Sequence, residues 1–279
     1  MLKNRICLIT GGTSGVGKAT AMGLARLGAT AIILSRSENR GRIAVNEIQS
    51  QTKNSNVMFR VCDFADLDQV QNFAEEFKKD FKRLHVLSNN AAVLPFKKEY
   101  TRQGFEKIFG VNYLAHFVLT HLLMDVLKKS APSRVLTVSG NPSLMRLGRP
   151  DLDDINMDQH FHPIQATIRA AAAKVLFSLE LAKRLKGSGV TSNTFHPGLI
   201  KTNLTQGLPV PLRILANLGQ IFFSNECKTS VYLASSPEVE GVTGQFFKGK
   251  KIVRYSTSYN IDELGRDLWE KSEELAGIK

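Results

Sequence analysis

The sequence predicts an α/β fold: one domain over residues 1–279, built on a doubly wound parallel sheet flanked by helices. Three observations carry this. Short apolar runs alternate with longer segments of helical periodicity, the pattern of repeated βαβ units. No internal repeat, low-complexity tract or linker divides the chain. A glycine-rich turn stands where the first apolar run gives way to the first helical segment, the place such a turn takes in a nucleotide-binding α/β sheet.

The strand-like runs are Ile6–Thr10, Ala31–Leu34, Val57–Val61, Val86–Ser88, Val135–Ser139 and Val190–Phe195. Helical periodicity covers Gly17–Leu27, Arg40–Gln51, Leu67–Phe81, Phe105–Lys129 and Ile168–Lys186. Joined in this order they imply right-handed crossovers. The stretch Gly207–Phe223 (GLPVPLRILANLGQIFF) departs from the alternation: two prolines break it and an amphipathic turn or two follow. It reads as a packed surface helix or, favoured by its position, as part of a lid over an apolar substrate at 199–224. A peripheral membrane contact is the weaker alternative.

At 43% hydrophobic residues the chain can bury a large core. Lys and Arg number 37 against 25 Asp and Glu, a formal charge of +12. The cations are scattered, with pairs at Lys78-Lys79, Lys97-Lys98 and Lys128-Lys129 and no basic block interleaved with aromatics. The charge therefore reads as a solvated surface that also attracts a phosphorylated cofactor, not as a nucleic-acid interface. Cys7, Cys62 and Cys227 lie far apart, and Cys7 and Cys62 sit in apolar runs that suggest buried, reduced thiols. No set of His, Cys, Asp and Glu has metal-ligand spacing. No apolar run is long enough to span a membrane, and the chain reaches a core strand by Ile6. These features lead us to expect a cytoplasmic protein with no leader.

The chemistry begins at Thr10-Gly11-Gly12-Thr13-Ser14-Gly15-Val16-Gly17. Glycines let the backbone turn tightly and approach a pyrophosphate, and the helix that follows offers free N–H groups and the positive end of its dipole. The pattern predicts a Rossmann-type dinucleotide cradle. The second strand ends Leu34-Ser35-Arg36-Ser37. An acidic residue there would accept from a ribose 2′-hydroxyl, whereas Arg36 pairs with a 2′-phosphate, which favours NADP(H) over NAD(H).

The TGxxxGxG spacing resembles the short-chain dehydrogenase/reductase family, and further matches follow in order. Cys62-Asp63-Phe64 is similar to the site where that family's Asp meets adenine. Asn89-Asn90-Ala91-Ala92 resembles its NNAG turn, with Ala92 in place of Gly adding a methyl near the nicotinamide ribose. Val111–Phe117 resembles the helix that carries a functional Asn, here Asn112. Phe195-His196-Pro197-Gly198 through Thr202 resembles the segment that meets the nicotinamide amide. Val231–Pro237 and Gly241–Gly244 match the closing helix and last strand. The resemblance runs from Lys3 to about Leu275 and is strongest to the retinol-dehydrogenase-like branch. It implies NADP(H)-dependent reduction of bulky apolar carbonyls, and cofactor contacts at Gly11, Thr13, Ser14, Gly15, Val16, Gly17, Arg36, Asp63, Asn89, Ala91, Pro197, Gly198 and Thr202. It also implies homodimers or homotetramers packed through the long helices, alongside monomers.

The family's proton relay consists of a Ser, a Tyr and a Lys, supported by the Asn. Anchored on VLFSLELAKRL, these positions fall on Gly140, Thr167 and Ala171, and of the four only Asn112 remains. A positioned general acid is worth about 10²–10⁴-fold in rate, and threonine is far too weak an acid to replace a phenol. Ser139 and Ser143 stand near the serine position. Lys174, seven residues after Thr167, lies close to its face of the helix, although a solvent-facing lysine is the simpler reading. The preceding loop offers Asp158, His160 and His162, of which His162 is a candidate acid or base. An oxidoreductase with a rebuilt relay, a non-redox enzyme such as a cyclase, lyase or isomerase, and a silent binding protein all fit this pattern.

Overall fold

The computed structural model describes residues 1–201 and 224–278. Most of the expected lid, with Gly207–Phe223 and Thr202, lies outside the described residues. The ends of that segment are joined by a parallel bridge between Ile200 and Ser224.

Eight strands form one sheet in the order β3-β2-β1-β4-β5-β6-β7-β8. They are β1 (Ile6–Ile9), β2 (Thr30–Ser35), β3 (Val57–Val61), β4 (Val86–Asn89), β5 (Ser133–Val138), β6 (Val190–His196), β7 (Phe246–Lys248) and β8 (Lys251–Ile252). All neighbours are parallel except β7 and β8. The chain winds outward from β1 to β3, then returns through β4 on the other side of β1, so the strand order reverses between β1 and β4. In open α/β sheets that reversal opens a crevice at the C-terminal strand ends, where ligands bind.

Strand periodicity explains the two cores. In β1, Leu8 faces one layer while Cys7 and Ile9 face the other, as a two-residue period dictates. Helices α1 (Gly15–Arg26) and α2 (Glu38–Thr52) cover the Cys7/Ile9 face. Helices α3 (Leu67–Asp80), α5 (Ala115–Leu122) and α8 (Pro163–Arg184) cover the Leu8 face. All three cysteines are free and buried.

The helices start where local chemistry satisfies their first N–H groups. Ser37 Oγ accepts the Arg40 N–H and starts α2 before Arg40. Asp66 caps α3 and is held by Arg102; these bonds outweigh its desolvation and lower its pKa to about 2. The segment expected as one helix over Phe105–Lys129 is divided. Glu106 accepts the N–H groups of Ile108 and Phe109 to start α4 (Lys107–Phe109), a π-turn spans Gly110–Leu114, and α6 (Met124–Lys129) follows a break at Leu123. Helix α8 begins at Pro163, five residues before the expected Ile168, because proline at the first helical position loses no bond. The last parallel strand begins at Phe246; Gly241 and Gly244 have positive φ and form the approach to it.

A C-terminal helix, Ile261–Ala276, was not among the expected elements. Its buried Leu264, Leu268, Trp269 and Ser272 recur at helical spacing, which is the signal that marks it. Trp269 packs edge-on against Phe117 and stacks on Phe177, and Ser272 bonds the buried Tyr113 hydroxyl at 2.7 Å. This helix covers the outer face of α5 and α8 from within the same chain. No described helix is long and apolar enough to cross a membrane.

Candidate active site

The cofactor side is shaped by absent side chains. Gly11 and Gly15 have φ of 63° and 54°, left-handed values that glycine adopts without strain. A Cβ at Gly11 would lie 2.8 Å from the Ala91 Cα, and one at Gly17 would overlap the Gly11 carbonyl oxygen. The turn thus packs backbone to backbone against Ala91 and its own first residue. Ser14 stands extended before α1 with its hydroxyl uncommitted to capping. Thr13, Ser14, Gly15 and Val16 remain partly open while Gly17 is buried. Arg36, just past β2, is exposed, with no ion-pair partner among the described residues. Asp63 is partly buried and accepts the Ala65 N–H through its carboxylate. Pro197 and Gly198 follow β6 beside the described end of the lid segment.

Thr10 and His116 bind this half together, and the bond directions can be worked out. Thr10 Oγ1 accepts from the Asn90 and Ala91 N–H groups at 2.8 and 3.0 Å, which leaves its proton for His116 Nε2 at 3.0 Å. His116 Nδ1 lies 3.1 Å from the Asn112 carbonyl oxygen, an obligate acceptor. His116 is therefore the neutral Nδ1–H tautomer. Burial, and next the charge of Lys174, lower its pKa to about 3. Asn112 is buried and its amide clasps Val93, accepting from N–H at 2.7 Å and donating to C=O at 3.0 Å. Thr10, His116 and Asn112 together hold the turn after β4. Asn89 donates to Thr120, and its Oδ1, like that of Asn90, is buried without a partner among the described residues. Ala92 is exposed.

The sequence singled out Asn112 but passed over Thr10 and His116. The spacing of Asn112 and His116, four residues apart on helical chain, is the signal that pairs them.

In the other half of the crevice two hydroxyls are turned onto the protein's own backbone. The Ser139 hydroxyl donates to the Ala171 carbonyl at 2.9 Å, with Met145 Sδ at 2.8 Å. The Thr167 hydroxyl donates back to the Pro163 carbonyl at 2.8 Å, a bond within the first turn of α8. Ser143 is exposed. His162 sits at the N-cap of α8, exposed and without a capping bond, and His160 is exposed beside it. Asp158 pairs with Lys98 at 2.6 Å.

Met145, from α7 (Pro142–Met145), packs beside the expected relay positions Gly140 and Ala171. It is 1% exposed and packs with Ala171, Val175 and Phe246. Its sulfur takes the Gly140 N–H at 3.1 Å, and a Cβ at Gly140 would meet Met145 at 3.5 Å. Nothing in the sequence pattern marks Met145, since the contact depends on α7 folding back over β5.

Lys174 corrects the expectation most sharply. It is 6% exposed rather than solvent-facing, and burial lowers its pKa to about 8. Among the described residues no three His, Cys, Asp or Glu gather in a metal-binding group.

Comparisons with known proteins agree with this geometry. A family model described as short chain dehydrogenase matches residues 5–149. Human retinol dehydrogenase 14 is 37% identical over 297 residues, which cover 100% of this chain and 88% of that protein. Human polyprenol dehydrogenase is 36% identical, covering 99% and 86%. The crystal structure of an uncharacterised protein from Mycobacterium paratuberculosis superposes with a TM-score of 0.76 at 29% identity, covering 99% of this chain and 94% of that one.

Proposed function

The chain belongs to the short-chain dehydrogenase family, and on that premise we propose that it is an NADP(H)-binding oxidoreductase for a bulky apolar carbonyl or alcohol. Its proton path differs from the family's phenol relay. The observation that carries this reading is the retained cradle: the glycine turn admits no Cβ at Gly11 or Gly17, and Thr10, His116 and Asn112 brace the turn opposite it.

The residues fit the adenosine half of such a cofactor. The N-terminus of α1 receives the pyrophosphate, Gly11 to Gly17 let it approach, Asp63 lies where adenine is met, and the exposed Arg36 guanidinium suits a 2′-phosphate. Asn89, Ala91, Pro197, Gly198 and Thr202 belong to the nicotinamide half. When bound, the nicotinamide supplies a hydride to a carbonyl carbon or takes one from an alcohol. In this chain the proton for the oxygen comes from neither Ser139 nor Thr167, because both hydroxyls are committed to backbone carbonyls. The apolar character of Met145, Ala171, Val175 and Phe246 supports an apolar substrate, as does the sequence of the lid segment.

The same packing favours a second reading, a binding protein or non-redox enzyme on this scaffold, because Met145 occupies the space where a carbonyl oxygen would meet its acid. Incubation with NADPH and a panel of bulky aldehydes and ketones, followed at 340 nm, tests the choice. NADPH loss with at least one substrate supports the oxidoreductase. Tight NADPH binding with no loss across the panel selects the second reading, and no NADPH binding overturns both as stated for this cofactor.

A further inference from the structure

Cations that are scattered along the chain meet at one end of the sheet, away from the crevice. Arg5 precedes β1, Arg83 precedes β4 and Arg134 lies at the start of β5, and these three strands are neighbours. They are parallel, so all three arginines stand at the end opposite the C-terminal strand ends. Burial, then the charges of Arg5 and Arg83, lower the pKa of the intervening His85. Burial likewise lowers that of the half-buried Arg134, on which Glu240 and then Arg5 act from a distance.

Arg134 lines a cavity of about 650 Å³, a volume within the range of small-molecule sites, roughly 300–1,000 Å³. Leu179, Ala182 and Leu185, along and just past the second half of α8, and Val190 of β6 give it an apolar floor. Gly187 and Gly241 stand on its rim, where a Cβ would meet nothing within 4 Å, so the mouth is open. Of the rim charges, Lys183 is paired with Asp262 at 2.7 Å. Arg134 forms no ion pair among the described residues. Its guanidinium has five N–H donors and makes one bond, to the Leu233 carbonyl at 2.8 Å. A cation half out of water needs further acceptors, and the cavity is where they fit. A polyphosphate would set several negative charges against Glu240, which also lines the cavity, and would leave the floor uncovered. A single anionic head on an apolar body satisfies both the guanidinium and the floor.

We propose that this cavity is a second ligand site, for an amphipathic monoanion whose carboxylate pairs with Arg134 while its apolar chain lies along Leu179, Ala182, Leu185 and Val190. A guanidinium matches a carboxylate in charge and in planar geometry. The arginines at the neighbouring strand ends add a positive field that draws an anion to this end of the sheet. The site stands apart from the crevice and does not depend on what the crevice binds.

Calorimetric titration with two probes of equal chain length, decanoate and decanol, tests it on the intact chain and two variants. Arg134→Gln removes the cation and is expected to bind decanoate about tenfold more weakly, the scale of one charge-assisted hydrogen bond, with decanol affinity unchanged. Arg134→Lys keeps the charge and should hold decanoate within about threefold of the parent, which shows that the cavity is sound. Decanoate binding that Arg134→Gln leaves unchanged places the probe in the crevice and overturns the assignment. No saturable decanoate binding to the intact chain, or equal weakening of decanoate and decanol, overturns it as well.

Discussion

The two sides of the crevice are built alike and furnished differently. On the β1–β4 side, polar groups that do not serve the protein face outward: Ser14 does not cap its helix and Arg36 extends into solvent. On the β5–α8 side the hydroxyls of Ser139 and Thr167 are spent on backbone carbonyls, and a methionine fills the space between. A fold in general decay would lose both. On the proposed reading, the backbone of a dinucleotide cradle is kept while the hydroxyls beside it are turned onto the protein.

The comparison can be broken first at its glycines. Gly17→Ala drives a methyl into the Gly11 carbonyl and should cost about 1–3 kcal/mol or more of stability, with NADPH binding lost. Gly140→Ala places its methyl at an ordinary 3.5 Å from Met145 and should leave both nearly unchanged. Thermal melts and titration of the two variants check this directly, and equal damage from both would erase the distinction.

Next in size, the combined change Gly140→Ser, Thr167→Tyr and Ala171→Lys rebuilds the relay. It should raise NADPH-dependent reduction by about 10²-fold or more, the worth of a positioned acid. Steady-state rates for parent and variant decide it; a variant no faster than its parent shows that more than the relay has been lost.

Lys174 predicts an unusual pH dependence. Its amine has a pKa of about 8 in the fold against 10.5 when exposed. Between those values the unfolded chain holds the extra proton, so ligand-free stability rises with pH, by up to about 3 kcal/mol. Below pH 8 that contribution is absent, and Lys174→Met should melt higher than the parent. Above pH 10.5 the two should converge. His116, held at about 3 against 6.5, contributes stability above pH 6.5 that is lost as pH falls toward 3. Melting temperatures across pH 3–11 for parent and Lys174→Met report both limbs. The smallest expected effect is at Arg36: Arg36→Ala should weaken NADPH about tenfold while leaving NADH unchanged, which paired titrations measure.

Much of this architecture is legible in the sequence, for identifiable reasons. Runs such as ICLI and VLSN read as buried strands, and Gly11 and Gly17 declare a close backbone approach because a Cβ would not fit at either. The placing of the expected relay positions Thr167 and Ala171 is legible as well, since both lie in one continuous helix. What packs against them is not. Met145 reaches Gly140 only through the fold-back of α7, Ser139 finds Ala171 across thirty-two positions of chain, and Lys174 is buried by the helices around it. A lysine's type argues for solvent; its neighbours decided otherwise. The C-terminal helix was readable from Leu264, Leu268 and Trp269, whose spacing is helical.

The central claim is that the dinucleotide cradle survives intact and is set for a 2′-phosphate. Calorimetric titration of the unmodified chain with NADPH and with NADH tests it most directly. The account predicts one NADPH per chain, bound at least about tenfold more tightly than NADH. No binding of either dinucleotide, or NADH bound as tightly as NADPH, would contradict it.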